Sequence, residues 1–366
     1  MSKILYIGED TASYHLFFNG ASSANTVSFF NLTDFKNLSL SDHEVEQISS
    51  AEHIIFSRDI DWKTLKIADR IAKKNIPYSY YADDNYFILN RIVPSNKVNT
   101  FLSSADALIS TTNAMNGFFT SIATDNNKLI QLNLDVHIPE RSNPKKTLSK
   151  QVLNIGFLGT GKNWLYQDVL KDLSDNLLDY ELNIHAPLSL CKLLRKQPIA
   201  DSITLIEFKF IKNYSQFIDT IKTFDLDFIL QPADLTDQNY HFKNLNSLLL
   251  PYHCNCLTLF CDSPPYNSIQ QEGLEELLTK NNAFSEKINA LISNNDKRIA
   301  LTDALFSFVE NNFSANNNIQ KLKESLRFKE KGADRFSQEL KQLRFTKIEK
   351  TYNKYKRSIY RKLIAS

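Results

Sequence analysis

Gly159-Thr160-Gly161-Lys162 follows directly on an apolar run, VLNIGFL, and precedes a helical segment. Glycine lets a backbone come close to a phosphate, and the next helix offers unpaired N–H groups and the positive end of its dipole. The loop is not the dinucleotide fingerprint G-x-G-x-x-G. Gly156 to Lys162 matches the G-x-x-x-x-G-K part of a P-loop, but Asn163 stands where a magnesium-binding hydroxyl is required. A tight strand-to-helix turn without ligand accounts for the loop equally well. Asp83 and Asp84 lie in YYADDNYF, just after another apolar run. Adjacent carboxylates at a strand's C-terminal edge stand where α/β proteins bind ligands, and they suit metal binding, hydroxyl recognition or general-base work. A solvated turn with Asp as a helix N-cap is the plainer reading. Cys254, Cys256 and Cys261 form C-x-C-x4-C. Zinc sites want four ligands, usually built from C-x2-4-C pairs, so these read as core cysteines. The seven histidines are scattered, and neither H-E-x-x-H nor G-x-S-x-G occurs.

These residues need elements to position them. Lys3–Gly8, Ala51–Ser57, Ile76–Tyr81, Ala105–Ser110 and Lys128–Asn133 are short apolar runs that read as buried strands. Trp62–Lys74 carries apolar residues at helical spacing between two of them. Residues 138–150, IPERSNPKKTLSK, are polar with two prolines and no apolar period, as in a linker. The alternation then restarts. Val152–Leu158, Tyr180–His185, Ser202–Glu207, Phe228–Leu230 and Cys256–Cys261 read as strands, with Trp164–Leu178, Tyr214–Phe224 and Leu274–Leu278 as helical stretches between them. Strands alternating with helices predict parallel βαβ units. The reading is α/β, with two Rossmann-like domains facing across a cleft. They are an N-terminal domain over 1–138, a linker over 139–150, a C-terminal domain over 151–318 and a helical tail over 319–366.

The chain has 366 residues, of which 42% are hydrophobic, with 25 Phe and only eight Gly. That excludes collagen-like and low-complexity architectures. No basic segment leading into a long apolar stretch opens the chain, and nothing approaches 18 uninterrupted apolar residues. The expected location is the cytoplasm. The net charge of +2 hides an asymmetry: residues 321–366 hold 15 Lys/Arg against 5 Asp/Glu, and residues 1–320 hold 28 against 36. In the tail Phe336, Leu340, Leu343, Ile348, Tyr352 and Tyr355 recur mostly at steps of three or four, an amphipathic pattern ringed by Lys and Arg. Residues 336–366 suit an anionic membrane surface, or pack as a solvated helix on a partner subunit. Binding to nucleic acid is disfavoured, because the basic charge is confined to the tail while the body is acidic.

Several short blocks, in order, resemble the group 1 (family 4-like) glycosyltransferases of the GT-B fold, especially bacterial members acting on surface polysaccharides. HIIFSRD places Arg58 after a strand, as in that family. IPYSYYADDNYF resembles its strand followed by an acidic-aromatic block, with Asp83 and Asp84 at the last two acids. SSADALISTTNAM and NIGFLGTGKNWLYQDVL resemble two further blocks, the second being the Gly loop of the donor domain. In DFILQPADLTDQNYHFKNLNSLLLPYHCNCLTLFCDSPPY, Asn239 and Lys243 fall at the "N-x-x-x-K" positions, and Pro265-Tyr266 at the "p-Y". The likeness covers about residues 1–315.

The resemblance implies transfer of a sugar from a nucleotide-sugar donor to a glycan or lipid-linked glycan, with no cofactor and no bound metal. The donor would be held by Gly159, Thr160, Gly161, Lys162, Asn239, Lys243, Pro265 and Tyr266, and the acceptor by Arg58, Asp83 and Asp84. Asp83, Asp84 and Lys243 would carry the chemistry, Lys243 by stabilising the departing nucleoside diphosphate. A surface lysine is the plain reading of Lys243, and a structural ion pair that of Arg58. One position departs from the family. Its usual Glu, seven residues after the Lys, is here Leu250, followed by Pro251. A carboxylate accepts hydrogen bonds from both ribose hydroxyls and leucine accepts none. A GT-B chain that no longer catalyses and binds a glycan, a nucleotide or a partner enzyme is therefore the alternative.

Overall fold

In a computed structural model the described residues are 4–9, 11–18, 27–31, 42–136, 148, 151–159, 163–211, 213–270, 273–313, 318–328 and 340. The described residues of Met1–His137, His241–Asn244 and Ala315–Arg361 form one compact unit. Those of Ile138–Tyr240 and Leu245–Ser314 form the other. The expected linker, except residue 148, and the expected helical tail beyond residue 328, except Leu340, lie outside the described residues.

The N-terminal unit carries strands β1 (Ile4–Gly8), β2 (Val27–Asn31), β3 (His53–Ser57), β4 (Tyr78–Tyr81), β5 (Ala107–Ser110) and β6 (Lys128–Gln131). All pair in parallel in the order β2-β1-β3-β4-β5-β6, with Ile4 beside His53 and Ile54 beside Tyr78. Helices α1 (Ala12–Phe17), α2 (Asp42–Ser49), α3 (Trp62–Ala72), α4 (Asn96–Ser103) and α5 (Asn113–Ile122) connect them. A parallel sheet covered on both faces needs strands apolar throughout. β1 and β3 to β5 bury every residue, whereas edge strand β6 exposes Lys128 and Leu129. The helices start where side chains satisfy their free N–H groups. Asp61 accepts from Lys63 and Thr64 at α3, Ser95 from Val98 at α4, and Thr112 from Met115 at α5. The core is unusually aromatic: the Tyr78 ring stacks on Phe101 at 4.9 Å and Phe56 meets it edge-on at 5.4 Å.

The C-terminal unit repeats the scheme with β7 (Val152–Gly156), β8 (Glu181–Pro187), β9 (Ile203–Phe208), β10 (Phe228–Gln231), β11 (Leu257–Cys261) and β12 (Leu278–Thr279), in the order β12-β11-β10-β7-β8-β9, again parallel. Its helices are α6 (Leu165–Asn176), α7 (Leu188–Leu194), α8 (Tyr214–Lys222), α9 (Leu249–Cys254), α10 (Asn267–Gln270), α11 (Phe284–Ser293) and α12 (Asn295–Phe313). The expected helix over Leu274–Leu278 is instead one 3-10 turn, Glu275–Leu277, running into β12. Buried Leu277 and the pairing of Leu278 with Phe260 draw the segment onto the sheet edge. α13 (Asn318–Ser325) packs on the N-terminal unit, where Asn318 donates to the carbonyls of Phe17 and Asn133. Among the described residues no helix is long and apolar enough to cross a membrane.

Candidate active site

An open parallel sheet binds ligands outside the carboxyl ends of its strands, where the chain order reverses. In the N-terminal unit that point lies between β1 and β3, because β2 is added on one side of β1 and β3 on the other. Gly8 ends β1 there, and a Cβ on it would lie 2.0 Å from the Ser57 Oγ, so a side chain at this position would force Ser57 to shift. Arg58 and Asp83 emerge beside it from the ends of β3 and β4. Asp83 is no solvated turn: it is buried, and the turn-capping role falls to Asn85, which accepts from the N–H groups of Phe87 and Ile88. Both Asp83 oxygens are engaged. Ser13 of α1 donates to Oδ2, Tyr86 donates to Oδ1 at 2.7 Å, and the Arg58 Nε stands 3.4 Å from Oδ1. Arg58 Nε also donates to the Tyr86 hydroxyl, giving a short relay from guanidinium through phenol to carboxylate.

Electrostatics follow from this packing. Burial alone would raise the Asp83 carboxyl, but the Arg58 charge and the Ser13 and Tyr86 hydroxyls more than offset it and hold it below the usual range. Burial likewise opposes the Arg58 charge, and Asp83, then Tyr86 and Asp84, outweigh it. Arg58 has a further distinction. Among the described residues five non-glycine positions have positive φ, and four of them are Asn or Asp, which tolerate it; the fifth is Arg58 at 67°. Left-handed backbone costs such a residue about 1–2 kcal/mol. Strain of this kind is held by its surroundings: here the Arg58 N–H donates to the Tyr81 carbonyl at 2.9 Å and the Tyr80 hydroxyl to the Arg58 carbonyl at 2.7 Å. A second arginine, Arg91, lies over the Tyr86 ring at 5.0 Å and pairs with Asp59. Arg58 and half-buried Asp84 thus stand beyond the carboxyl ends of β3 and β4, a charged donor and a charged acceptor.

In the C-terminal unit the reversal lies between β7 and β10. Gly159 stands three residues past the end of β7. Its N–H donates to the Tyr166 hydroxyl at 3.0 Å, and that hydroxyl donates to the Leu230 carbonyl of β10 at 3.4 Å. A Cβ at Gly159 would come within 2.5 Å of the same hydroxyl. Tyr166 therefore fills the space that makes this glycine necessary, a partner the sequence reading missed; its place in the first turn of α6, seven residues after Gly159, is the signal available. Thr160, Gly161 and Lys162 lie outside the described residues. Tyr266 is buried beside Pro265, with its hydroxyl 2.7 Å from Ser247 and its ring 4.3 Å from Phe260. Burial pushes the Tyr266 phenol up to about 12. Asn239 is buried, and its N–H donates to Asp237 at 2.9 Å. Leu250 packs on an apolar cluster containing Leu158, Leu226 and Cys254, so a carboxylate at this position would face hydrocarbon. Cys254 and Cys256 belong to that cluster and Cys261 closes β11; all four cysteines are buried and free.

Gly159, Asn239, Pro265 and Tyr266 thus belong to the C-terminal unit. Arg58, Asp83, Asp84 and exposed Lys243 belong to the N-terminal one. Lys243 follows Phe242, whose carbonyl accepts from Thr112 at 3.3 Å and whose ring meets Phe118 at 6.3 Å.

Two parallel six-stranded sheets with helices, in successive units, define the GT-B class of α/β fold. No protein-family model matches the chain, and no curated protein matches its sequence. Among solved structures it is similar to HepE of Anabaena, solved in complex with UDP and glucose. That likeness has a TM-score of 0.56 at 13% identity and covers 89% of this chain and 99% of that one. OtsA matches at a TM-score of 0.48 and 10% identity, covering 94% of this chain and 100% of that one. An O-GlcNAc transferase mutant from Thermobaculum terrenum matches at 0.47 and 11%, covering 99% and 68%. The fold assignment rests on the first of these.

Proposed function

We propose that the protein is a glycosyltransferase that moves a sugar from a nucleotide-sugar donor to a glycan or lipid-linked glycan in surface-polysaccharide synthesis. The observation that carries this is the match in fold, over nearly the whole of both chains, to a protein that holds UDP and glucose. In this reading the donor lies on the C-terminal unit near Gly159–Lys162, Asn239 and Pro265-Tyr266. Lys243 stabilises the charge that develops on the departing diphosphate, so that no metal or cofactor is required. Arg58 and Asp84 orient acceptor hydroxyls. Asp83, with both oxygens committed, anchors Arg58 rather than taking a proton. The enzyme works in the cytoplasm, and its basic tail takes it to the inner face of the cell membrane.

A second reading has specific support. Leu250 packs on hydrocarbon and the Gly159 N–H is already spent on Tyr166, as in a GT-B chain that binds a glycan, nucleotide or partner without catalysis. Calorimetry with UDP and UDP-glucose tests the donor site. Lys243→Ala is expected to weaken nucleotide binding by about 1.5–3 kcal/mol, the worth of a hydrogen bond to a charged group. Unchanged affinity would remove Lys243 from the site.

A further inference from the structure

A groove of about 810 Å³ opens on the N-terminal unit, formed by α4, the second half of α5 and the loop that leads into α4. Its volume falls in the range of small-molecule sites, roughly 300–1,000 Å³. Phe87, Pro94, Leu102, Phe118 and Ile122 give it an apolar surface, with the Phe87 and Phe118 rings 5.5 Å apart and tilted by 48°. Asn96, Asn99, Thr100, Ser103 and Thr124 line it with amides and hydroxyls. Among the described residues the Asn96, Asn99 and Thr100 side chains make no hydrogen bond to the protein, so their donors and acceptors are available. One charged residue, Lys97, lines the groove, and no carboxylate does.

This lining selects among ligand classes. A cationic ligand finds no counter-charge, and a highly anionic one finds a single lysine. An acyl chain would desolvate the amides and hydroxyls without replacing their water, which costs free energy for each of them. A sugar chain meets both requirements: its C–H faces cover aromatic rings, and its hydroxyls pair with Asn and Thr side chains. The groove's position adds a separate argument. Phe87 directly follows Tyr86, which binds Asp83 and Arg58. Phe118 contacts Phe242, the residue before Lys243. The groove is therefore joined at two places to the residues assigned above to acceptor and catalysis.

We propose that this groove binds an oligosaccharide, holding sugar residues of the acceptor beyond the one that reacts. The acceptor is then a glycan of several residues. This rests on the glycosyl-transfer reading, and the test separates the two. Full-length protein is applied to an array of neutral oligosaccharides of one to six residues. The tightest hit is then titrated by saturation-transfer NMR into wild type, Asn99→Ala and Phe118→Leu, with binding of UDP and of other nucleoside diphosphates measured on the same samples. Asn99 is exposed, so its variant remains informative if Phe118→Leu fails to fold. The expected result is binding that needs three or more sugar residues, weakened about tenfold in both variants, a loss of about 1.4 kcal/mol, with UDP affinity unchanged. No array binding, or equal binding by wild type and both folded variants, would overturn the groove. Glycan binding lost in the variants, with no binding of UDP or of any other nucleoside diphosphate in any sample, would uphold the groove and overturn transfer. UDP binding with no glycan binding would overturn the groove and leave the donor site standing.

Discussion

Asp83 is held by Ser13 from α1, Tyr86 from its own loop and Arg58 from the end of β3, and the energetics of the sheet edge turn on that carboxylate. Asp83→Asn keeps its shape and removes its charge. Breaking one side of a buried ion pair costs about 3–5 kcal/mol. The Arg58 side chain keeps 18% exposure, so the expected loss in urea unfolding is at the lower end, about 3 kcal/mol. The sign with pH is fixed by the depressed carboxyl. Its contribution is fully present above the unfolded value of about 3.9 and is lost as pH falls through the folded value, a limb that Asp83→Asn removes. Gly159 gives a second prediction. Gly159→Ala places a methyl against the Tyr166 hydroxyl and is expected to cost about 1–3 kcal/mol, as overpacking does. In a Tyr166→Phe background the added cost should shrink, and a double-mutant cycle in denaturant measures the difference. Equal costs in both backgrounds would show that the hydroxyl is not what excludes a side chain there.

At the scale of elements, the segment after α13 is fastened to the N-terminal edge of the first sheet. The His53 Nδ1 lies 2.6 Å from the Arg327 carbonyl, its Nε2 lies 2.9 Å from Ser79, and Arg327 pairs with Asp106. Burial pushes His53 down to about 4 despite the Arg327 carbonyl and Asp106, which favour its charge. Unfolded histidine titrates near 6.5. Between these values the unfolded state binds the extra proton, so stability falls as pH drops from about 6.5 toward 4, by at most about 1.4 kcal/mol per pH unit for one proton. Hydrogen-exchange protection factors of residues 318–328, taken relative to the intrinsic rate at each pH, should fall over that window, and His53→Gln should flatten the response. Strands such as β1, β3 and β11 were legible because burial on both faces forces continuous apolar text. β12 was not: two residues carry no period, and Glu275-Glu276-Leu277-Leu278 reads as helix until the sheet edge captures it. The Asp83–Asp84 pair and Arg58 stood out by type and position. Ser13, Tyr86 and Tyr166, which fix what those groups and Gly159 can do, come from packing between segments that no local spacing announces.

For the whole molecule, charge separates an acidic body from a basic end. Residues 341–362 carry nine Lys/Arg and one acid, Glu349, and each basic residue near an anionic bilayer contributes about 1 kcal/mol. Full-length protein is expected to sediment with anionic but not neutral vesicles, less so in high salt, and deletion of residues 336–366 should abolish this. If both forms stay in the supernatant, the tail serves a partner protein instead. Donor turnover tests the proposed glycosyl transfer directly. Purified full-length protein incubated with a series of nucleotide sugars, UDP-glucose first, is assayed for nucleoside-diphosphate release with and without glycan acceptors. Release from at least one donor, accelerated by an oligosaccharide acceptor, is the predicted result; neither release from nor binding of any nucleotide sugar would contradict the account.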